Sequence, residues 1–266
     1  MMAVDPTIAA AGDVVQFFKA LSDETRLSIV RRLTLTDLRV GELVAELCAP
    51  ANVVSYHLKQ LRAIGILRDQ RSSADGRDVY YGVDVARLTS LYAAAGLLLT
   101  PVLGDGSHDN SNDCFRQRRP RLLYLCTHNS ARSQLAEAIT RHVGGEQIEV
   151  VSAGSTPTSV HPLTRAVLAE IGVDTNGLTA KALDSQVIQP FDCVVTVCDR
   201  IREICPVFPA DPMLIHWSIP DPAAVTDPTA QHEAFRQVRD DLLTRARLLV
   251  SVVQSGYPSS NGMGNA

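Results

Sequence analysis

No stretch of this chain stays apolar long enough to cross a bilayer. The longest run, around Leu91–Leu103, is broken by Thr100 and Pro101, well short of the ~20 residues that a spanning helix needs. The opening residues include an acid at Asp5 and lack the basic start and extended apolar segment of a secretory signal. The expected location is therefore the cytoplasm, with no membrane partner. Positive charge is not in excess either. Against 29 Asp and Glu there are 25 Lys and Arg, a net charge of −4, which excludes a uniformly basic surface but permits a local basic patch. Six cysteines in 266 residues point to redox chemistry, metal binding or core packing before a disulfide scaffold. No internal repeat is present. With 45% hydrophobic and 20% charged residues, neither extended disorder nor a fibrous repeat fits, and the length suits two ordinary domains.

The polar stretch GDGSHDNSNDCFRQRRP at Gly104–Pro120 has no apolar periodicity, which marks a linker. YPSSNGMGNA at the end has too few bulky apolar side chains to pack. The expected division is a first domain over 1–100, a linker over 101–119, a second domain over 120–256 and a tail over 257–266. In the first domain, apolar residues recur at helical spacing in Val14–Leu21, Thr25–Leu33, Val40–Leu47 and Val53–Ile64. A hairpin over Gly65–Val83 and a helix over Val85–Leu99 follow. Short helices followed by a hairpin make a mostly α winged helix-turn-helix, whose second helix enters the DNA major groove. ANVVSYHLKQLRAIG at Ala51–Gly65 is the candidate recognition helix, with Asn52, Ser55, Tyr56 and Lys59 on its polar side. Arg71 and Arg77 belong to the wing. Five basic residues against two acids between Ala51 and Arg77 suffice for phosphate contacts.

Beyond the linker, strand candidates Arg121–Cys126, Glu149–Ala153, Cys193–Cys198 and Met213–Trp217 alternate with helical stretches Ser133–His142, Pro162–Ile171 and Gln231–Val253. This rhythm predicts an α/β domain with a four-stranded parallel sheet, binding its ligand at the strand carboxyl ends. The first strand runs into CTHNSARS, a C-x5-R-S string ahead of a helix. Backbone amides of such a loop, Thr127, His128, Asn129, Ser130, Ala131 and Arg132, can wrap a tetrahedral oxyanion at a helix N-terminus. Arg132 can clamp two oxygens. Cys126 is the candidate nucleophile, with a lowered pKa expected in that positive field. Ser133 can donate to its thiolate, Asn129 can fix the loop, and Asp221 can protonate a leaving oxygen.

The first half resembles the ArsR/SmtB family of bacterial repressors through LSDETRLSIVRRL, VGELVAEL, NVVSYHLKQLRAIGILRDQR and GRDVYYGV, over about residues 12–95. The resemblance implies a homodimer, joined by its terminal helices, on palindromic double-stranded operator DNA. VGELVAEL lacks the cysteine pair of arsenic-sensing members. Cys48 alone falls short of the two or three thiolates that a soft metalloid needs, and a small half-buried residue is the expected reading. The second half resembles the low-molecular-weight tyrosine phosphatase fold, and more closely the thioredoxin-coupled arsenate reductases, through CTHNSARSQLAE at Cys126–Glu137, SAG at Ser152–Gly154, VVTVCDRIREICP at Val194–Pro206 and HWSIPDPA at His216–Ala223.

By that resemblance Cys126 attacks arsenate, Cys198 attacks the Cys126 sulfur and releases arsenite, and Cys205 attacks Cys198. A Cys198–Cys205 disulfide is left for thioredoxin, with mycothiol or glutaredoxin as other candidate reductants and no tightly bound cofactor. Asp199, Arg200, Arg202 and Glu203 between the two cysteines are expected to be exposed. Seven residues of helix span ~10.5 Å against ~4.4–6.8 Å between disulfide Cα atoms, so any helix there must unwind on oxidation. Cys193 is expected to pack in the core. Some relatives bind a monovalent cation at positions matching Asn129, Glu137 and Ser152; Lys181 stands in place of a further acid, and its ammonium is expected to substitute for that ion; no other metal is implied. The expectation is a repressor fused to an arsenate reductase. Two rivals stay open, a tyrosine phosphatase fused to a regulator and a regulator whose second domain only senses an oxyanion or thiol oxidation.

Overall fold

A computed structural model describes residues 6–74, 76–99, 119–188, 190–209 and 211–254. Most of the expected linker, with Cys114, and all of the expected tail lie outside them. The chain forms two compact units, one within Met1–Arg71 and Asp78–Asp113 and one within Ser72–Arg77 and Cys114–Ala266. None of the described helices is long and apolar enough to cross a membrane.

The first unit is mostly helical. Its helices are α1 (Pro6–Leu21), α2 (Glu24–Leu33), α3 (Val40–Leu47), α4 (Ala51–Ala63) and α5 (Val85–Leu99). Asp23 starts α2 by accepting the Arg26 amide at 2.9 Å, the role that suits a short carboxylate before a helix. Residues such as Ile29, Leu33, Leu43, Val54, Leu58 and Leu61 share one buried cluster. Five of these recur three or four positions apart, Ile29 with Leu33 on α2 and Val54 with Leu58 and Leu61 on α4, so both helices turn an apolar stripe inward. The wing strands β2 (Leu67–Arg71) and β3 (Val79–Val83) pair antiparallel. A two-residue strand, β1 (Leu38–Arg39), adds to β3 with Leu38 opposite Tyr81. Sequence pattern does not reveal it, because two residues carry no period. Cys48 departs from expectation: it is exposed, and it ends α3 in the left-handed region at φ 49°.

The second unit holds a parallel sheet in the order β5-β4-β6-β7, comprising β4 (Arg121–Cys126), β5 (Glu149–Gly154), β6 (Cys193–Thr196) and β7 (Met213–His216). β4 runs RLLYLC with all but its first residue buried, the continuous apolar pattern of a central parallel strand. The helices are α6 (Arg132–Gly144), α7 (Pro162–Ala169), α8 (Asp184–Val187), α9 (Asp199–Glu203) and α10 (Pro228–Gln254). α10 packs extensively on α6. Four parallel strands therefore end together, with the loop after β4 at the centre of the edge.

Candidate active site

The loop Cys126–Arg132 leaves the end of β4 and turns directly into α6. Its carbonyls are held from outside by the segment after β5. Thr156 donates its amide to Thr127 at 2.9 Å, Thr158 to His128 at 3.0 Å and His161 to Ser130 at 3.0 Å, while the Thr164 hydroxyl also donates to the Ser130 carbonyl. These bonds hold the loop by the carbonyls of Thr127, His128 and Ser130. Gly154 makes the close approach possible, because a Cβ there would lie 2.6 Å from the Thr127 carbonyl oxygen and 2.8 Å from the Asn129 nitrogen. The SAG signature is thus a steric requirement.

Asn129 takes a left-handed backbone, φ 47°, which Asn tolerates better than most residues. Its amide nitrogen donates to Cys126 Sγ at 3.1 Å, and its side chain donates to Ser133 Oγ at 2.9 Å and Ser152 Oγ at 2.7 Å. Ser133 Oγ lies 2.9 Å from Cys126 Sγ. Burial pushes the Cys126 thiol up, against the opposing pull of Ser133, Arg132 and the Asn129 amide. The lowered value expected from sequence is corrected accordingly. The positive field is present, but complete enclosure penalises the thiolate more.

Arg132 is largely buried and reaches across the unit. It donates to the Ile219 carbonyl at 3.1 Å and pairs with Asp221 at 2.8 Å. Asp221 also accepts the Ala223 amide at 3.2 Å, so the cap reading and the acid reading describe one side chain. Thr127, His128, Arg132, Cys198, Arg200 and Asp221 line a shared opening. His128 is exposed. Thr127 Oγ1 lies 3.4 Å from Cys198 Sγ, and Cys198 is near enough to add to the upward push on Cys126. A second cysteine therefore lines the same opening as residues of the Cys126–Arg132 loop.

α9 separates Cys198 from Cys205. It is short, and the bonds from Arg202 N to Cys198 O and from Cys205 N to Arg202 O are both long, at 3.4 Å. Cys205 is half-buried, and burial pushes its thiol up. The expectation of an exposed Asp199 is corrected: it is buried and lies 3.1 Å from His216 Nε2. Burial alone would raise its carboxyl, but hydrogen bonds, that of His216 foremost, bring it down to about 2. His216 Nδ1 in turn lies 2.8 Å from Thr196 Oγ1. The sequence signal for this pair was HW at the end of β7, with Asp directly after Cys198; neither has a recognisable spacing until β6 and β7 pair. Cys193 is buried on β6 and takes no part in the opening.

In the first unit Asn52, Ser55, Tyr56 and Lys59 are all exposed on α4 and Arg71 is exposed at the end of β2; Arg77 is also exposed, in the segment Ser72–Arg77 that groups with the second unit. Val54, Leu58 and Leu61 face inward, joined by His57, which the apolar pattern did not include.

A family model described as low molecular weight phosphotyrosine protein phosphatase matches residues 121–257, and a helix-turn-helix domain matches residues 21–70. An arsenate reductase from Halalkalibacterium halodurans is 35% identical over 127 residues, covering 47% of this chain and 91% of its own length. Arsenate reductase 2 of Staphylococcus saprophyticus is 34% identical over 121 residues, covering 46% of this chain and 88% of its own. Among solved structures, an arsenate reductase from Archaeoglobus fulgidus is similar at 30% identity and TM-score 0.41, covering 49% of this chain and 98% of that one. A thioredoxin-dependent arsenate reductase from Corynebacterium glutamicum has 22% identity and TM-score 0.44, covering 86% and 98%. Through its second unit the chain belongs to the low molecular weight phosphotyrosine protein phosphatase family, with curated arsenate reductases among its relatives, and it carries a helix-turn-helix domain ahead of that unit.

Proposed function

We propose that this chain is an arsenate reductase fused to an operator-binding repressor. The observation that carries the reductase reading is the second cysteine, Cys198, at the mouth of the anion loop beside Thr127. Hydrolysis of a phosphate ester needs one nucleophilic cysteine, because water completes the reaction. Reduction of arsenate must pass two electrons from sulfur to arsenic, which a second thiol allows.

In the proposed sequence arsenate enters the loop, held by backbone amides and the Arg132 guanidinium. The Cys126 sulfur forms a bond to arsenic as an arsenic–oxygen bond breaks, and Asp221 gives the departing oxygen its proton. The Cys198 thiolate then attacks the Cys126 sulfur. The sulfur–arsenic bond breaks with its electron pair going to arsenic, so arsenite leaves and a Cys126–Cys198 disulfide remains. Cys205 attacks Cys198, restoring the Cys126 thiolate and leaving a Cys198–Cys205 disulfide. A dithiol reductant of the thioredoxin type takes up that oxidation. The weak end bonds of α9 suit the unwinding that this bridge requires.

The test is arsenate-dependent NADPH oxidation with thioredoxin and thioredoxin reductase. The intact protein is expected to turn over repeatedly, while Cys198→Ser and Cys205→Ser lose that turnover and keep hydrolysis of p-nitrophenyl phosphate. An intact, folded protein that consumes no NADPH with thioredoxin, and none with a mycothiol or glutaredoxin system, contradicts the reductase reading. Both variants retaining full arsenate turnover contradicts the relay.

The repressor half rests on the exposed polar side of α4 and the wing arginines. Lys59→Ala is expected to weaken DNA binding about equally on all sequences and to reduce the slope of log affinity against log salt by about 1. An unchanged slope in a titration from low to moderate salt removes Lys59 from the phosphate contacts. The homodimer implied by the helix-turn-helix domain is part of the same proposal.

A further inference from the structure

The resemblance brings with it a monovalent cation behind the anion loop, and the oxygens that would hold it can be followed one by one. Glu137 is almost fully enclosed, and Lys181 is a quarter exposed. Glu137 Oε1 accepts from Arg141. Oε2 accepts from the Ser152 hydroxyl and from Lys181 Nζ, the latter at 3.0 Å. The ammonium also donates to the Thr179 carbonyl at 3.0 Å. Ser152 Oγ accepts from Asn129 Nδ2 at 2.7 Å. Asn129 Oδ1 accepts from Gln134 Nε2 at 2.8 Å and from the Lys181 amide at 2.7 Å. Every oxygen a bound ion would use is engaged, and two side-chain cations already face the one carboxylate. The residues present do not fit a free cation.

We infer that the Lys181 ammonium replaces that ion, making Lys181 a positioning residue for the anion loop and freeing this chain from a potassium requirement. The connection is short. Lys181 Nζ holds Glu137, Glu137 holds the Ser152 hydroxyl, and Ser152 accepts from Asn129, whose side chain bonds Ser133 and whose amide bonds Cys126. The Lys181 backbone serves the same end, since its carbonyl accepts the Gly154 amide at 2.9 Å while its amide fixes Asn129. A tethered ammonium is present in every folded molecule, whereas a bound ion is present in proportion to its concentration. This inference rests on the anion-binding reading of the loop and not on arsenate as the substrate.

The test uses inorganic phosphate as probe, with binding followed by calorimetry and thermal midpoints recorded in parallel, in potassium and in choline buffers of equal ionic strength. The intact protein is expected to show the same midpoint and a phosphate affinity within about 2-fold in both. Lys181→Met is expected to bind phosphate at least ~10-fold more weakly in choline, with a lower midpoint, and to recover part of both in potassium as the ion enters the vacated place. Lys181→Arg, which keeps the charge, is expected to stay potassium-insensitive. A midpoint of the intact protein that rises by several degrees in potassium overturns the inference, as does a Lys181→Met loss that potassium leaves untouched, since that is mere packing. If Lys181→Met does not fold, a potassium-dependent intact protein or a potassium-dependent Lys181→Arg overturns it equally. None of these readouts depends on arsenate reduction, so failure here is distinct from failure of the reductase reading.

Discussion

Serine in place of Cys126 is expected to abolish arsenate reduction and phosphate-ester hydrolysis together, by roughly 10⁴- to 10⁶-fold in kcat, the scale on which an enzyme loses an activated nucleophile. In the proposed mechanism both reactions begin at that sulfur. A hydroxyl is nearly isosteric but far less acidic than a thiol, and the groups that favour the thiolate here, the Ser133 hydroxyl, Arg132 and the Asn129 amide, already work against burial. The loop itself should survive, because its carbonyls are held by Thr156, Thr158 and His161 and its floor by Asn129. Phosphate affinity by calorimetry is therefore expected to stay within about tenfold while turnover disappears. Loss of binding along with turnover would mean that the sulfur holds the loop together, and retained turnover would remove Cys126 from the chemistry.

Arg132→Lys is expected to cost about 10²–10³ in kcat/KM, comparable with the removal of one preorganised donor from an oxyanion site. The exchange keeps the charge and loses the geometry. A guanidinium can meet Ile219 and Asp221 with separate nitrogens, at 3.1 and 2.8 Å, and still present N–H groups to an oxyanion, whereas an ammonium is a single point on a flexible stem. Arg132 also orients Asp221, so acid catalysis should suffer with it. The expected signature is a fall in kcat larger than the rise in KM, read from initial rates over a range of substrate. A purely electrostatic role predicts near-normal kinetics in the lysine variant, and that outcome would reject the bidentate argument.

Much of the fold was legible beforehand because its signals are local. Helical spacing in Val40–Leu47 and the apolar run Arg121–Cys126 gave elements with the observed bounds, since a period of 3.6 or a buried strand is written in consecutive residues. The candidate loop between β4 and α6 was legible for the same reason: its cysteine, arginine and serine lie within eight positions, Cys126–Ser133. Asp221 was legible only through a motif. Its approach to Arg132, 89 residues away in sequence, exists only once α6 and the loop after β7 share one edge of the sheet.

What escaped the sequence was decided by enclosure and by partners distant in the chain. Asp199 looks like an ordinary charged residue of a short helix; pairing of β6 with β7 brings His216 against it and buries both. The Cys126 thiol was expected to be acidic from its loop and helix, yet those favourable groups come with complete burial, and no local pattern reports how much water a fold removes. Lys181 divides between sequence and structure. The sequence by itself determined that a lysine stands where an acid was expected, and the tertiary structure alone set its ammonium 3.0 Å from a buried carboxylate 44 residues away. Residue chemistry is fixed by the chain, whereas burial and long-range pairing, which fix the charge balance around the Cys126 sulfur, are properties of the packed fold.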